Sequence, residues 1–229
     1  MIPILGVPIL TRPELLWRML DSIDVTVGEI IVIDNGDVIH EVPEGSPSFT
    51  HVWPGYNMGV SASWNHIIKM RPLAPWWGIF NFDLTMAEGD CERLITTMDQ
   101  AGGLVLLAGM SAFGIDRETV RKAGFFDENF HPAYFEDDDY KHRCRMAGVE
   151  VTSLPWGASH EISATMRSSD HLQRQNFYTF PLNREYFGQK WGGGPYREVF
   201  TTPFDAGGSP RDWTLSIDRL ADQHWTLEE

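Results

Sequence analysis

Little in this 229-residue chain could grip a polyanion. Its 18 lysines and arginines stand against 32 aspartates and glutamates, a formal net charge of -14. Phosphate backbones are held by clusters of cations, so no nucleic acid partner is expected. An acidic protein still binds a nucleoside diphosphate when a divalent cation lies between the like charges. Cysteine is scarce too: Cys91 and Cys144 form neither a disulfide framework nor a metal-ligand spacing. No apolar run reaches membrane-spanning length, and the opening ten residues are interrupted by Pro3 and Pro8 and carry no basic leader. The expectation is a cytoplasmic protein with no transmembrane segment. Internal repeats are absent, as are a dinucleotide fingerprint and a glycine-rich phosphate loop with its Lys-Ser/Thr.

What is present alternates between buried strands and amphipathic helices. Ile4 to Leu10 reads as a first strand. Pro13 then opens a helix whose Leu15, Leu16, Met19, Leu20 and Ile23 share one face. Glu29 to Ile33 is an all-apolar strand of the kind covered on both faces, and it runs into Asp34-Asn35-Gly36. Asp34 thus stands at a strand's carboxyl end, where open α/β sheets bind ligands, although a structural turn explains Asp-Asn-Gly equally well. A glycine-bearing loop, Pro54 to Gly59, feeds a helix over residues 60–70. Trp76 to Phe80 is the next strand, followed by Asn81-Phe82-Asp83. Residues two apart on a strand point the same way, so Asn81 and Asp83 can face one site with oxygen ligands suited to Mg²⁺ or Mn²⁺. A helix over 90–98, strands over 104–110 and 113–116, a helix over 117–123 and a last strand over 149–154 complete the alternation. Beyond it, 171–190 reads as two aromatic-bearing helices broken at Pro181. A tail with Trp213, Leu215, Leu220 and Trp225 is expected to pack on the body.

Glu136-Asp137-Asp138-Asp139 places four carboxylates in a row between aromatic residues and the basic segment Lys141 to Arg145. Such charges stay together only in water or around something positive, so a solvated face and the rim of a site are both open readings. If the run opens a helix, Glu136 and Asp139 share a face and Asp137 lies about 100° away. Asp139 can then pair with Arg143 one turn on.

At this point the chain resembles the GT-A nucleotide-sugar glycosyltransferases, and within them the inverting family two, with its rhamnosyl-, galactosyl- and glucosyltransferases. The resemblance covers about residues 4–160. It is carried by the first strand running into Pro8, Thr11 and Arg12, by Val32 to Gly36, and by Asn57, Gly59 and Asn65. Asn81-Phe82-Asp83 stands at the family's D-x-D or N-x-D motif. The most specific part is Gly124-Phe-Phe-Asp-Glu128, followed by Glu136 to Asp139 and Arg143. Asn81 replaces a carboxylate, and Asp37 stands where a serine is usual.

The resemblance implies a mostly parallel, Rossmann-like α/β sheet flanked by helices over residues 1–160. A helical and irregular extension over 161–229 would form part of the acceptor side. The implied reaction moves one hexose or deoxyhexose, with inversion, from a UDP- or dTDP-linked sugar to the hydroxyl of a carbohydrate or other acceptor. Asp34 would meet the nucleoside, and Pro8, Thr11, Arg12, Asn57, Gly59, Asn65 and Asn81 would border the nucleotide. Asp83 and His160 would hold Mn²⁺ or Mg²⁺ with the diphosphate. Asp137 would be the general base, with Glu136 beside it. The extension's aromatic rings, with Trp156, are expected along the acceptor cleft, since such rings stack on sugar C–H faces. Two other readings remain at this stage, a nucleotidyltransferase on a related sheet and a nucleotide-sugar-binding protein without turnover.

Overall fold

The computed structural model describes residues 1–42, 48–161, 165, 168–207 and 217. In chain order the elements are β1 (Ile2–Ile9), α1 (Pro13–Asp21), β2 (Val27–Asp34), β3 (Phe49–Val52), α2 (Gly59–Met70), β4 (Trp76–Phe80) and β5 (Leu84–Thr85). Then follow α3 (Asp90–Gln100), β6 (Leu104–Leu106), β7 (Ala112–Asp116), α4 (Arg117–Ala123), α5 (Glu136–Met146), β8 (Val151–Ser153) and β9 (Ser159–His160). A long helix, Asp170–Trp191, ends the ordered run before a short 3-10 turn at Pro203–Asp205.

Seven strands form one sheet in the order β3-β2-β1-β4-β7-β6-β8. All neighbours are parallel except those of β7, which runs against both β4 and β6. The mostly parallel sheet is as expected, and burial on both faces explains why β1, β2 and β4 carry almost nothing but apolar residues. Leu15, Leu16 and Met19 of α1 and Leu94 and Met98 of α3 cover one face. Trp64, Ile67 and Ile68 of α2, with Val120 of α4 and Tyr140 of α5, cover the other. Gly6 in β1 lets α2 come close, because a Cβ there would run into the Ile67 side chain. β5 and β9 make a separate two-stranded ribbon at the rim, pairing Leu84 with His160.

Two expectations need correction, on the strand after Leu104 and on the extension. The strand beginning at Leu104 stops at Leu106, because Leu107 N–H and Ala108 N–H both turn back to the Ala112 carbonyl and start β7. The acidic run does open a helix, forming the first turn of α5 with Phe135 at its cap in the left-handed region (φ 73°). The extension is one helix through Pro181, not two. Proline removes the N–H that would bond the Phe177 carbonyl, but Phe177 is 74% exposed, so water can serve that carbonyl. Tertiary contacts hold the helix beyond the proline: Phe187 and Trp191 pack against Phe130 and Phe135 in a third apolar cluster. Gly192, at φ 71°, closes the helix. Of the tail, Ile217 is buried in the α2 and α5 side of the core; Trp213, Leu215, Leu220 and Trp225 lie outside the described residues.

Candidate active site

The carboxyl ends of β1 and β4 open into a cleft of about 380 Å³. Of the residues singled out from the sequence, Pro8, Asn57, Gly59, Asn81, Asp83, Glu136, Asp137 and His160 all line it. They arrive from separate elements. Pro8 is the last residue but one of β1, and Asn81 follows β4, with its N–H given to the Ser111 carbonyl at 2.7 Å. Asn57 and Gly59 form the turn into α2, where the Asn57 side chain accepts the Gly59 N–H at 3.0 Å. Gly59 has φ 81° and its α-carbon faces Pro132, so a side chain there would collide with the Pro132 carbonyl.

The β5–β9 ribbon brings Asp83 and His160 together. His160 Nε2 lies 3.1 Å from Asp83 Oδ1 across 77 residues of sequence, and Glu161 N–H bonds the Asp83 carbonyl at 3.1 Å. No group of three or more metal-ligating side chains occurs among the described residues. A carboxylate and an imidazole facing an open cleft nevertheless suit a divalent cation whose other ligands are diphosphate oxygens and water.

The first turn of α5 lines the same cleft. Asp139 turns inward and is bonded by Arg143 Nε at 2.9 Å, the one-turn pairing read from the sequence. Asp137 is left at the cleft, about one-third exposed, with Lys141 Nζ 3.1 Å from its Oδ2. Lys141 also reaches Asp138 at 2.9 Å. Glu136 is buried, and its Oε2 has no hydrogen-bond partner among the described residues. Burial, then the charge of Asp137, pushes its carboxyl up to about 8. Two adjacent carboxyls thus meet different surroundings, one paired with a lysine and one dry.

Other residues read as nucleotide contacts are held elsewhere. Asp34 is fully buried and accepts the N–H groups of Gly36, Val38 and Ile39 at 2.8–3.1 Å, with His51 Nε2 at 3.1 Å. Burial alone would raise its pKa, but these bonds outweigh it and hold the carboxyl below the usual range. Its oxygens are spent on the turn after β2, and Asn35 lines the cleft in its place. Asn65 is also buried. Its amide bonds the Phe126 carbonyl and N–H, each at 2.8 Å, and Glu128, tying α2 to the loop before α5. Thr11 and Arg12 stand off the cleft, with Arg12 bonded to Glu14 and Glu161.

The acceptor-side expectation also changes. Trp156, Phe177 and Tyr178 are exposed and do not line the cleft, while Phe187 and Trp191 are core. The long helix contributes Leu172 and Gln175, and the body contributes Trp64 and Tyr134. Helical spacing held the missed signal: Leu172, Gln175, Thr179, Asn183 and Lys190 fall on one stripe, and the conspicuous rings Phe177 and Tyr178 fall off it.

No family model matches the chain. A galactofuranosyl glycosyltransferase of Leishmania donovani is 31% identical over 134 residues, which is 48% of this chain and 30% of that protein. The chain therefore spans under a third of the curated relative it matches. Among solved structures, residues 1-349 of S. aureus TarS superpose with a TM-score of 0.54 at 10% identity, covering 67% of this chain and 58% of the other. The catalytic domain of Drosophila beta1,4-galactosyltransferase 7 in complex with xylobiose gives 0.53 at 16% identity, covering 77% and 79%. A mutant of the latter has been solved with manganese, UDP-Gal and xylobiose, and the TarS fragment with UDP-GlcNAc.

Proposed function

We infer that this chain, which has the GT-A fold of the nucleotide-sugar glycosyltransferases, transfers a single hexose or deoxyhexose from a nucleoside-diphosphate sugar to an acceptor hydroxyl with inversion. The observation that carries the reading is convergence. Asp83 with His160, and Asp137 with Glu136, come from three separate parts of the chain to one cleft at the strand ends, where this fold class binds ligands. The UDP-sugars bound by the structural neighbours support a UDP-linked donor, and the manganese in one of them supports a divalent cation.

Asp83 and His160 would hold that cation. When bound, it supplies positive charge against the departing diphosphate. Pro8, Asn57, Gly59 and Asn81 border the donor. Asp137 takes the proton of the attacking acceptor hydroxyl, because a neutral sugar hydroxyl is a poor nucleophile at pH 7. Lys141 holds the Asp137 carboxylate in place and offsets the repulsion of its neighbours. Inversion follows from attack on the face of the anomeric carbon opposite the diphosphate.

The direct test incubates the purified chain with UDP-galactose and UDP-N-acetylglucosamine, with and without Mn²⁺. Release of UDP that depends on Mn²⁺ is expected from at least one donor. Absence of release, together with no rise in melting temperature on adding UDP and Mn²⁺, would refute the reading.

A further inference from the structure

The long helix enters the cleft with only two side chains, Leu172 and Gln175. Gln175 is half-buried, and its carboxamide has no hydrogen-bond partner among the described residues; its backbone carbonyl also accepts from Thr179 Oγ1 at 3.0 Å. The helix is fixed to the segment that carries Glu136 and Asp137. Ser169 caps it, accepting the Leu172 N–H at 3.2 Å. The Phe180 ring lies 5.1 Å from that of Phe135, the residue immediately before Glu136. Asn183 bonds the Ala133 carbonyl at 2.8 Å, and Lys190 bonds Asp139 of α5 at 2.6 Å. At 1.5 Å of rise per residue, Gln175 stands about 7.5 Å along the axis from Phe180. Gln175 therefore lines the same cleft as the two carboxyls, on a helix tied to the segment that carries them.

We propose that Gln175 is a specificity residue of the acceptor subsite, reading a hydroxyl of a carbohydrate acceptor next to the one that attacks, while Leu172 packs on the apolar face of that sugar. This rests on the glycosyltransferase reading above. A carboxamide both donates and accepts, which matches a hydroxyl and selects against a bare hydrocarbon chain. Being uncharged, it leaves the balance between Glu136 and Asp137 undisturbed. The orphaned Glu136 Oε2, which belongs to a residue lining the same cleft, is a second sign that the cleft is built for a polar guest.

The test is binding of methyl β-galactopyranoside, methyl β-galactofuranoside, methyl α-mannopyranoside and xylobiose to the protein loaded with UDP and Mn²⁺, followed by saturation-transfer NMR. Wild type, Q175A and the shorter amide Q175N are compared, and circular dichroism checks that each is folded. At least one glycoside is expected to bind wild type and to weaken about three- to tenfold in both variants, the worth of one neutral hydrogen bond. Glycoside binding indifferent to both substitutions overturns the assignment of Gln175. So does the absence of any glycoside binding to a wild type that UDP and Mn²⁺ do stabilise. If UDP and Mn²⁺ fail to raise the wild-type melting temperature, the glycosyltransferase reading itself fails, and this one with it.

Discussion

Replacing Lys190 by methionine removes the cation from the most buried charge cluster that joins the long helix to the body. Lys190 Nζ lies 2.6 Å from both Asp127 Oδ2 and Asp139 Oδ1, among the rings of Phe130, Tyr186 and Trp191. Breaking a buried pair by deleting one partner costs about 3–5 kcal/mol. Here the lower end applies, because neither carboxylate is left bare. Asp139 keeps Arg143 and the Trp191 Nε1 at 2.8 Å, and Asp127 keeps the Tyr186 hydroxyl at 2.8 Å. A loss of about 3 kcal/mol in a domain of this size lowers Tm by about 6–12 °C. The acid side supplies a second signature. Burial raises the Asp127 carboxyl, but Lys190 and the hydrogen bonds outweigh that and hold it at about 2, below its unfolded value. A carboxyl depressed in this way adds stability that is complete above its unfolded pKa and disappears as pH falls toward 2. K190M lacks most of that gain, so the gap in Tm between wild type and variant is expected to narrow as pH drops below about 4. Thermal melts followed by circular dichroism at pH 7, 5 and 3.5 read both effects. A variant melting within about 2 °C of wild type at pH 7, or a gap unchanged at pH 3.5, would refute the reasoning.

Asp137→Asn keeps the shape of the base and removes its basicity, so transfer is expected to fall by about 10²–10⁴-fold while UDP and Mn²⁺ still raise the melting temperature. Full transfer by that protein, alongside an inactive Glu136→Gln, would move the base to Glu136. Asp83→Ala is expected to lose the Mn²⁺-dependent part of UDP affinity in calorimetry; an undiminished Mn²⁺ effect removes Asp83 from the metal site. The Glu136 carboxyl is raised in the folded state, so wild type loses stability as pH climbs from about 4.5 to about 8, whereas Glu136→Gln does not. The Tm difference, variant minus wild type, should grow between pH 5 and 8, and a flat difference contradicts a dry Glu136. Asp34→Ala strips the partners from three backbone N–H groups and is expected to cost about 3 kcal/mol; an unaltered denaturation midpoint would show that the turn does not depend on it.

Much of the fold was legible because double burial leaves no choice of residue: β1, β2 and β4 are apolar runs in any reading. So was α4, whose limits are marked by Asp116, which accepts the Thr119 N–H at 2.7 Å, and by Gly124. The acidic run opening α5 could be sorted by periodicity, which separated Asp139 from Asp137. What could not be read depended on where atoms turn after the chain has folded. An aspartate at a strand end looks the same whether it faces a nucleoside or, like Asp34, curls back onto its own turn. Asn65 is a polar residue on a helix until Phe126 and Glu128 arrive from sixty residues away. Pro181 promises a break that tertiary packing on both sides overrides. Gln175, uncharged and unremarkable among louder aromatic neighbours, reads as surface unless the stripe of its helix is followed through to Lys190.

The β5–β9 ribbon has a consequence for motion. It has two residues on each side and lies outside the seven-stranded sheet, yet it helps to bring Asp83 beside His160. So short a ladder opens by local fluctuation far more often than the sheet does. The amides of this ribbon should therefore exchange with deuterium on a faster clock than those of β1 or β4. An ion clasped by both side chains would slow that clock without touching the core, because it penalises the open state alone. The rim would then breathe when empty and stiffen when loaded, a rhythm in which the donor meets a soft edge and leaves from a firm one.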